Sequence, residues 1–536
     1  MRQTGQYGIR TSAVVSVSPW AFLPSFLASL IVVDAVHSKA ELGAMFRVLR
    51  PYGGTLCISL PADGHDRLVD LVREAGLAGA ALTRHDDLSL LRRTGPLPGA
   101  APWTHEYGDA ARTLCSNDVL VRPPFGLLWY GGDADGLFAR PFMTPRYYPA
   151  PQVIGGRLFA QSMTSMSAVD VFTGRRLWTT ELPDPHEILQ MHHIRTPGYP
   201  SVACADTVYV ACGTTCLKLA PDTGKKVGEI TFSDMTDAGR ERLWEHVVAA
   251  GDVLIGITTI PRRFWGDDYR GVKPEELGHD EWIKLNEWGK ALEKTGTVKR
   301  QAEESGDQFL TRVLAGITQV GPKVLPVPEK ALERVNKARS FRPAFADELV
   351  VFDRRTDEVL WRRRAAYGFP TIDNRLGNSR GGAVAVGNGR AFVLDSLPGS
   401  LLAMLKRRGA TTVGRPTLYA LDVRTGRVVW ETTDSTQGRG WVAYAAAEDV
   451  VLTGTGGTVT AYGGMDGSTL WSASKPGTTF GRPPVVRGGT VISMFLRGDM
   501  SGKSLKTDLD SMHREWIIQD VRTGEVKTSL RAPGAY

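Results

Sequence analysis

Along most of the chain apolar and polar residues alternate in short runs broken by turn residues, and this two-residue period predicts β-strands joined by tight hairpins. The run "SAVDVFTGRRLW" ends at Trp178, "LVVFDRRTDEVLW" at Trp361, "LYALDVRTGRVVW" at Trp430 and "VTAYGGMDGSTLW" at Trp471. Two weaker copies share the pattern. "CLKLAPDTGKKV" carries Asp222, Thr223 and Gly224 with Val227 where a tryptophan would stand, and "WIIQDVRTGEVK" carries Thr523 and Gly524 without one. Glycine suits the turn because it tolerates positive φ; Asp357 replaces it in one copy, and Asp is among the few other residues that enter that region.

A second hairpin precedes each copy, turning at Gly155-Gly156, Asp206, Gly251-Asp252, Asn388-Gly389, Glu448-Asp449 and Gly488-Gly489. Two hairpins make four antiparallel strands, and a four-stranded unit repeated along a chain is the sequence of a β-propeller blade. The tryptophan that ends the fourth strand would wedge against the neighbouring blade, where its large apolar area contributes most.

The run A-x-D-x-x-T-G-x-x-x-W, present as Ala168, Asp170, Thr173, Gly174 and Trp178, resembles the tryptophan-docking repeat of the PQQ-like, or quinoprotein dehydrogenase-like, β-propellers. That group includes quinone-dependent alcohol dehydrogenases and a non-enzymatic propeller of outer-membrane protein assembly. The resemblance spans roughly residues 103 to 536. It implies a mainly β fold with six recognisable four-stranded blades, part of a seven- or eight-bladed ring. "FGLLWYGG", residues 125 to 132, is similar to the last strand of a blade whose other three strands are not found, while the final unit already has both hairpins. The expectation is therefore a chain incomplete at both ends, whose ring does not close on its own.

The first hundred residues follow another logic. "LASLIVVDAV", "AELGAMFRVLRPYGGTLCISL" and "DRLVDLVREAGL" read as strand, helix, loop, strand and a further amphipathic helix, which is α/β patterning. Arg47 to Pro51 with Gly53-Gly54, and Asp34 before them, resemble the segment around the fourth and fifth strands of class I methyltransferases. The glycine-rich turn and the acidic residue that hold the methyl donor in that family have no counterpart before Asp34, so the resemblance implies a partial domain with a supporting role. A signal peptide or membrane span over "AVVSVSPWAFLPSFLASLIVV" is the rival reading, weakened by Pro19 and Pro24. The expected division is residues 1–94 as the α/β segment, 95–124 as a linker around Gly-Pro-Leu-Pro-Gly, and 125–536 as propeller, with a helical insert over about 273–340.

Composition changes this picture little. The 536 residues are 42% hydrophobic and 23% charged with 59 glycines, which is globular and rich in turns. A net charge of +7 admits a basic patch for an acidic partner or a membrane surface; spread surface arginines explain it equally. The five cysteines, Cys57, Cys115, Cys204, Cys212 and Cys216, include no adjacent pair and no haem-attachment motif. The adjacent-cysteine ring and calcium site of the quinone enzymes are therefore not legible. PQQ with calcium remains the only cofactor the resemblance implies, and the expectation is that none is bound.

Candidate binding residues fall in the connections from one blade's last strand to the next blade's first, which line one mouth of a propeller. His192, His193 and Arg195 form the first cluster, Asp373, Asn374 and Arg375 the second; Arg439, Thr478 and Arg482 complete a polar, basic mouth. Adjacent histidines on an extended segment point opposite ways and would need a third ligand, so they do not make a metal site by themselves. No catalytic set is legible. Three functions stay open: a non-catalytic scaffold for a protein, peptide or glycan; a quinone-dependent oxidoreductase; or part of a methyltransferase-propeller fusion. No nucleic-acid partner is expected. Placement in the periplasm or cell envelope follows only from the resemblance.

Overall fold

The structure is a computed structural model that describes residues 15–16, 19–130, 150–162, 165–183, 200–232, 242–259, 299–301, 304, 308, 345–370, 372–373, 379–380, 383–396, 416–433, 441–455, 458–474, 484–497 and 513–533. The insert expected over 273–340 lies almost wholly outside these residues.

The N-terminal unit is built from β1 (Leu30–Val33), α1 (Lys39–Val48), β2 (Gly54–Ser59), α2 (Ala62–Ala75), β3 (Ala80–His85) and β4 (Leu88–Arg93). Ser38 starts α1 by accepting the Glu41 amide on its hydroxyl, and Gly76 ends α2 in a left-handed conformation. The strand order is β1-β2-β4-β3, with β1 parallel to β2 and the other pairs antiparallel. Leu42, Met45, Phe46, Leu56, Ile58, Leu68 and Leu91 form its core. The apolar start is a four-residue helix, Pro19–Phe22, followed by β1, and among the described residues no helix is long and apolar enough to cross a membrane.

Six four-stranded antiparallel sheets follow, each in simple sequence order. The first comprises Gln152–Ile154, Arg157–Gln161, Ser165–Asp170 and Arg176–Glu181, the second Ser201–Ala203, Val208–Cys212, Thr215–Leu219 and Lys226–Thr231, and the third Leu243–Ala250, Val253–Thr259, Phe345–Asp353 and Val359–Pro370. The fourth comprises Val384–Gly387, Arg390–Asp395, Thr417–Asp422 and Val428–Thr432, the fifth Trp441–Ala445, Val450–Thr455, Thr458–Gly463 and Thr469–Ser474, and the sixth Val485–Arg487, Thr490–Arg497, His513–Asp520 and Val526–Pro533. First strands of neighbouring sheets touch one another, so they are innermost and the fourth strands form the rim. The fold is a β-propeller. The first hairpins turn where the sequence places them: Gly155, Gly156, Gly251, Asn388, Gly389, Asp449, Gly488 and Gly489 all have positive φ.

The second hairpin carries the Asp, Thr-Gly and Trp offsets, and each has a separate task. The glycine N–H donates to the carbonyl four residues back, at 2.9 Å from Gly174 to Asp170 and 2.8 Å from Gly426 to Asp422. The aspartate at that position folds its carboxylate over the turn. Asp422 Oδ1 accepts from the Thr425 hydroxyl and from the amides of Thr425 and Arg424, while Asp520 Oδ1 accepts from the amides of Thr523 and Arg522. These bonds hold both carboxyls below the usual range.

The tryptophan acts on the next sheet. Trp178 lies over Gly224, Trp361 over Gly426, Trp430 over Gly467 and Trp471 over Gly524. Each indole N–H donates to the carbonyl three residues before that glycine: Pro221 at 2.9 Å, Val423 at 3.0 Å, Gly464 at 2.8 Å and Val521 at 2.9 Å. A methyl group on Gly426, Gly467 or Gly524 would lie 2.6 Å from the indole, so only glycine permits the approach. Trp129 repeats the arrangement at the front of the chain. It lies over Gly174 and donates to Val171 at 2.9 Å, although residues 125–130 carry no strand ladder among the described residues.

One offset was misplaced by the sequence reading. The tryptophan stands four residues after the glycine, so in the second sheet Gly228, not Val227, occupies its position.

Because the indole and the glycine form one contact, damage from either side should be comparable. Trp430→Ala should cost about 3 to 5 kcal/mol, and Gly467→Ala, which meets the same ring at positive φ, more than about 1 kcal/mol. Urea midpoints of the two variants against the parent check this; an unmoved midpoint for Trp430→Ala would show that docking contributes nothing to stability.

Candidate functional site

The six innermost strands surround an axis, and residues 103–113 run across it. Trp103 exchanges both backbone hydrogen bonds with Val153 of the first sheet, at 2.8 and 2.7 Å. The Thr104 carbonyl accepts from Ala203 of the second at 3.1 Å, and His105 Nε2 accepts from Ala249 of the third at 3.2 Å. The carbonyls of Ala110, Ala111 and Thr113 accept from Val386, Tyr444 and Val486 of the fourth, fifth and sixth sheets, at 2.8, 2.9 and 2.8 Å. Eleven consecutive residues therefore bond in chain order to every inner strand, a path available only at the axis. The sequence reading had placed them in a linker.

Local chemistry explains how so short a segment can do this. Gly108, at φ 90°, turns the chain back toward His105, and its missing side chain lets Cys115 pass close by. Asp109 accepts from the amide and hydroxyl of Thr113 at 3.1 and 2.8 Å, with burial holding its carboxyl above the usual range. Arg112, buried, stacks its guanidinium 4.3 Å from the Tyr107 ring centre. The small side chains of Ala110 and Ala111 fit against the fourth and fifth sheets. His105 is buried: Nε2 accepts from Ala249, so the proton sits on Nδ1 and is donated to the Thr104 hydroxyl at 2.8 Å. Burial, with the nearby Arg112 charge, pushes its pKa down to about 3.

The contacts fall near the ends of the inner strands that lead into the first hairpins. In a four-stranded meander, successive turns alternate between the two ends of the sheet. The short first hairpins and the Thr-Gly turns therefore share the end that residues 103–113 fill. The strands bordering residues 184–199, 260–298, 397–415, 434–440, 475–483 and 498–512 all break off at the other end. Strand ends at that second end are anchored by buried polar groups. Arg242 pairs with Glu348 at 3.2 Å and donates to Thr258, and Asp395 accepts from the amides of Ala366 and Gly368.

The α/β unit sits over the filled end of the first sheet. Arg50 pairs with Asp170 at 3.2 Å, Tyr52 covers Gly156, and Phe26 meets Phe172 edge-on at 5.7 Å. The "RPYGG" segment is thus a docking element of the propeller.

Of the candidate mouth residues, His192, His193, Arg195, Asn374, Arg375, Arg439, Thr478 and Arg482 lie outside the described residues. Asp373 lies on the Ile372–Asp373 strand, paired with Ser379 of Ser379–Arg380. The central segment was missed because it matches no repeat; its only signal was a glycine turn among residues able to cap and turn.

A quinone held at the propeller's centre does not fit the residues at this end of the axis, which peptide fills. The five cysteines are free, and Cys212 and Cys216 are buried on neighbouring strands with their thiols pushed upward by burial. Among the described residues no group of three or more His, Cys, Asp or Glu is placed to hold a metal ion.

Comparison with known proteins gives one family. A family model described as outer membrane protein assembly factor BamB matches residues 137–256 and 346–508, leaving out the α/β unit and residues 103–113. Among solved structures, BamB from Moraxella catarrhalis is 14% identical over 71% of this chain and 72% of that one, with a TM-score of 0.34. A quinohemoprotein alcohol dehydrogenase from Pseudomonas putida HK5 is 10% identical over 71% of this chain and 60% of that one, at 0.40. A europium-containing methanol dehydrogenase is 10% identical over 81% and 78%, at 0.38. No curated protein matches the chain.

His105 offers a direct test of the central segment. Its ordinary pKa is 6.5 and its folded value about 3, so between these the unfolded chain binds the extra proton and stability falls as pH falls. Above about 6.5 the group contributes no slope. By pH 4.5 the loss should be roughly 2 to 3 kcal/mol. His105→Gln keeps an acceptor for Ala249 without titrating, so the stability gap between parent and variant should narrow by that amount from pH 7 to pH 4.5. Parallel denaturation curves at both pH values, with an unchanged gap, would place His105 elsewhere.

Proposed function

The chain belongs to the PQQ-like propeller family whose model is described as outer membrane protein assembly factor BamB, and from that premise we propose that it is a non-catalytic scaffold that holds a protein or peptide segment on its loop-bearing face. The observation that carries the proposal is the filled axis. With residues 103–113 bonded to all six inner strands, the end of the axis beside the Thr-Gly turns is occupied by the chain itself, which leaves the opposite face for a ligand. The strands that border residues 184–199, 434–440 and 475–483 end there, and binding residues on rigid scaffolds sit on the loops that join such strands. Of the candidate mouth residues, Asp373 supports this reading, on the short strand that follows the third sheet.

A quinone-dependent reaction is disfavoured by the same feature and by the lack of adjacent cysteines. The α/β unit is best read as structural support. Its strand order β1-β2-β4-β3 is compatible with the partial methyltransferase-like reading, but within the segment that resembles that family, Arg47 to Pro51 with Gly53-Gly54, Arg50 and the intervening Tyr52 are used to dock on the first sheet.

Two measurements test this reading. A photo-crosslinking residue at Asp373, on the loop face, should capture members of an unstructured synthetic peptide library, whereas the same residue at Asp466, on the turn face, should capture none. Capture from Asp466 alone, or from neither, would overturn the proposed face. Calorimetric titration with PQQ plus calcium should give no binding heat, and quinone-dependent reduction of a dye with an alcohol substrate would refute the non-catalytic reading.

A further inference from the structure

Five tryptophans dock on the following sheet, and one junction is built differently. Between the second and third sheets three positions are exchanged together. The third-strand residue opposite the tryptophan is Ala168, Ala420 or Ala461 in three of the sheets, a small residue beside a large one. In the second sheet the pair is Lys218 opposite Gly228, a large residue beside none. The glycine that would receive the indole is replaced by Asp357, which keeps the left-handed backbone at φ 60°. The Lys218 stem lies over Gly228, 3.4 Å from where a Cβ would be, and its ammonium reaches both carboxylate oxygens of Asp357 at 2.8 Å.

We propose that this trio is an ionic latch that takes the place of the indole dock and makes the docking turn between the second and third sheets sensitive to salt, as the turns under an indole are not. An indole dock is held by apolar contact and one hydrogen bond to backbone, neither of which dissolved salt screens strongly. A partly exposed ammonium-carboxylate pair is screened, since the Debye length shrinks from about 14 Å at 0.05 M salt to about 3 Å at 1 M. Elsewhere the same junction is aromatic, with Phe232, Trp244 and Phe352 in contact, and it carries a second ion pair, Arg354 with Asp206 at 2.6 Å, with Arg354 also bonded to Tyr209 at 3.2 Å. Salt screens the Arg354–Asp206 pair as well, so removal of the Lys218 charge alone is what isolates the response of the Lys218–Asp357 pair.

Equivalent amides make the test direct. Asp357 N–H donates to the carbonyl of Asp353 at 2.9 Å, as Gly467 N–H does to Gly463 under the Trp430 indole, also at 2.9 Å. Native-state hydrogen exchange of the full chain at 0.05 M and 1 M sodium chloride should speed at Asp357 by about two- to five-fold, the range expected for losing a partly exposed pair, and change less at Gly467. Lys218→Met, which keeps the stem without the charge, should exchange fast at Asp357 at both salt concentrations. The triple variant Lys218→Ala, Gly228→Trp, Asp357→Gly should be slow and insensitive to salt at position 357. Equal salt responses at Asp357 and Gly467, or a Lys218→Met protein indistinguishable from the parent, would overturn the proposal; the second comparison needs no refolding of a redesigned junction.

Discussion

The structure depends on the approach of an indole to a glycine. Each sheet is a meander that closes its own hydrogen bonds, so what makes a propeller out of separate sheets is the contact between them. That contact is a flat ring laid on a backbone with no Cβ, its N–H returned to a carbonyl three residues earlier. The aspartate that braces the turn keeps the glycine in its left-handed conformation. Asp, Gly and Trp are thus parts of one device spread over two sheets, and this is why their spacing repeats while the residues between them vary.

The central segment answers a second problem. Inner strands splay around an axis, and their edge N–H groups face it without a sheet partner. A buried backbone donor left unpaired is costly, and here acceptors come from one stretch of chain, five carbonyls and the imidazole of His105. Placing peptide on the axis satisfies these donors and closes one end. At the other end polar pairs such as Arg242–Glu348 hold the strand ends. The route from packing to proposed function runs through this occupancy.

The α/β unit and the propeller are joined by more than a tether. Arg50, Tyr52 and Phe26 contact the first sheet at its two turns, and the chain then passes directly into the axis. A pattern that resembles an enzyme segment has here become a contact surface, a reminder that a motif's local shape can outlast the chemistry it is associated with.

How much was legible in the sequence varies with the range of the interaction. Alternating residues and positive-φ turn residues act within a few positions of one another, so the twelve hairpin turns, the strand order within each sheet, the α/β order of the first hundred residues and the docking role of Trp178, Trp361, Trp430 and Trp471 could all be read from the chain. Trp129 was recognised as a blade-ending tryptophan without its partner being named. What the sequence could not disclose is what depends on residues brought together only by closure of the sheets around an axis. Residues 103–113 have no periodicity, and their partners lie up to several hundred positions away, from Val153 to Val486. Likewise Lys218, Gly228 and Asp357 look like unrelated lapses from a repeat until the second and third sheets meet. By itself the sequence determined the units and the glue between most of them, because those rest on local backbone preference and on a repeated short-range pattern. Tertiary structure alone decided what fills one end of the axis and where an ion pair replaces an indole, because those depend on distances that no spacing along the chain encodes.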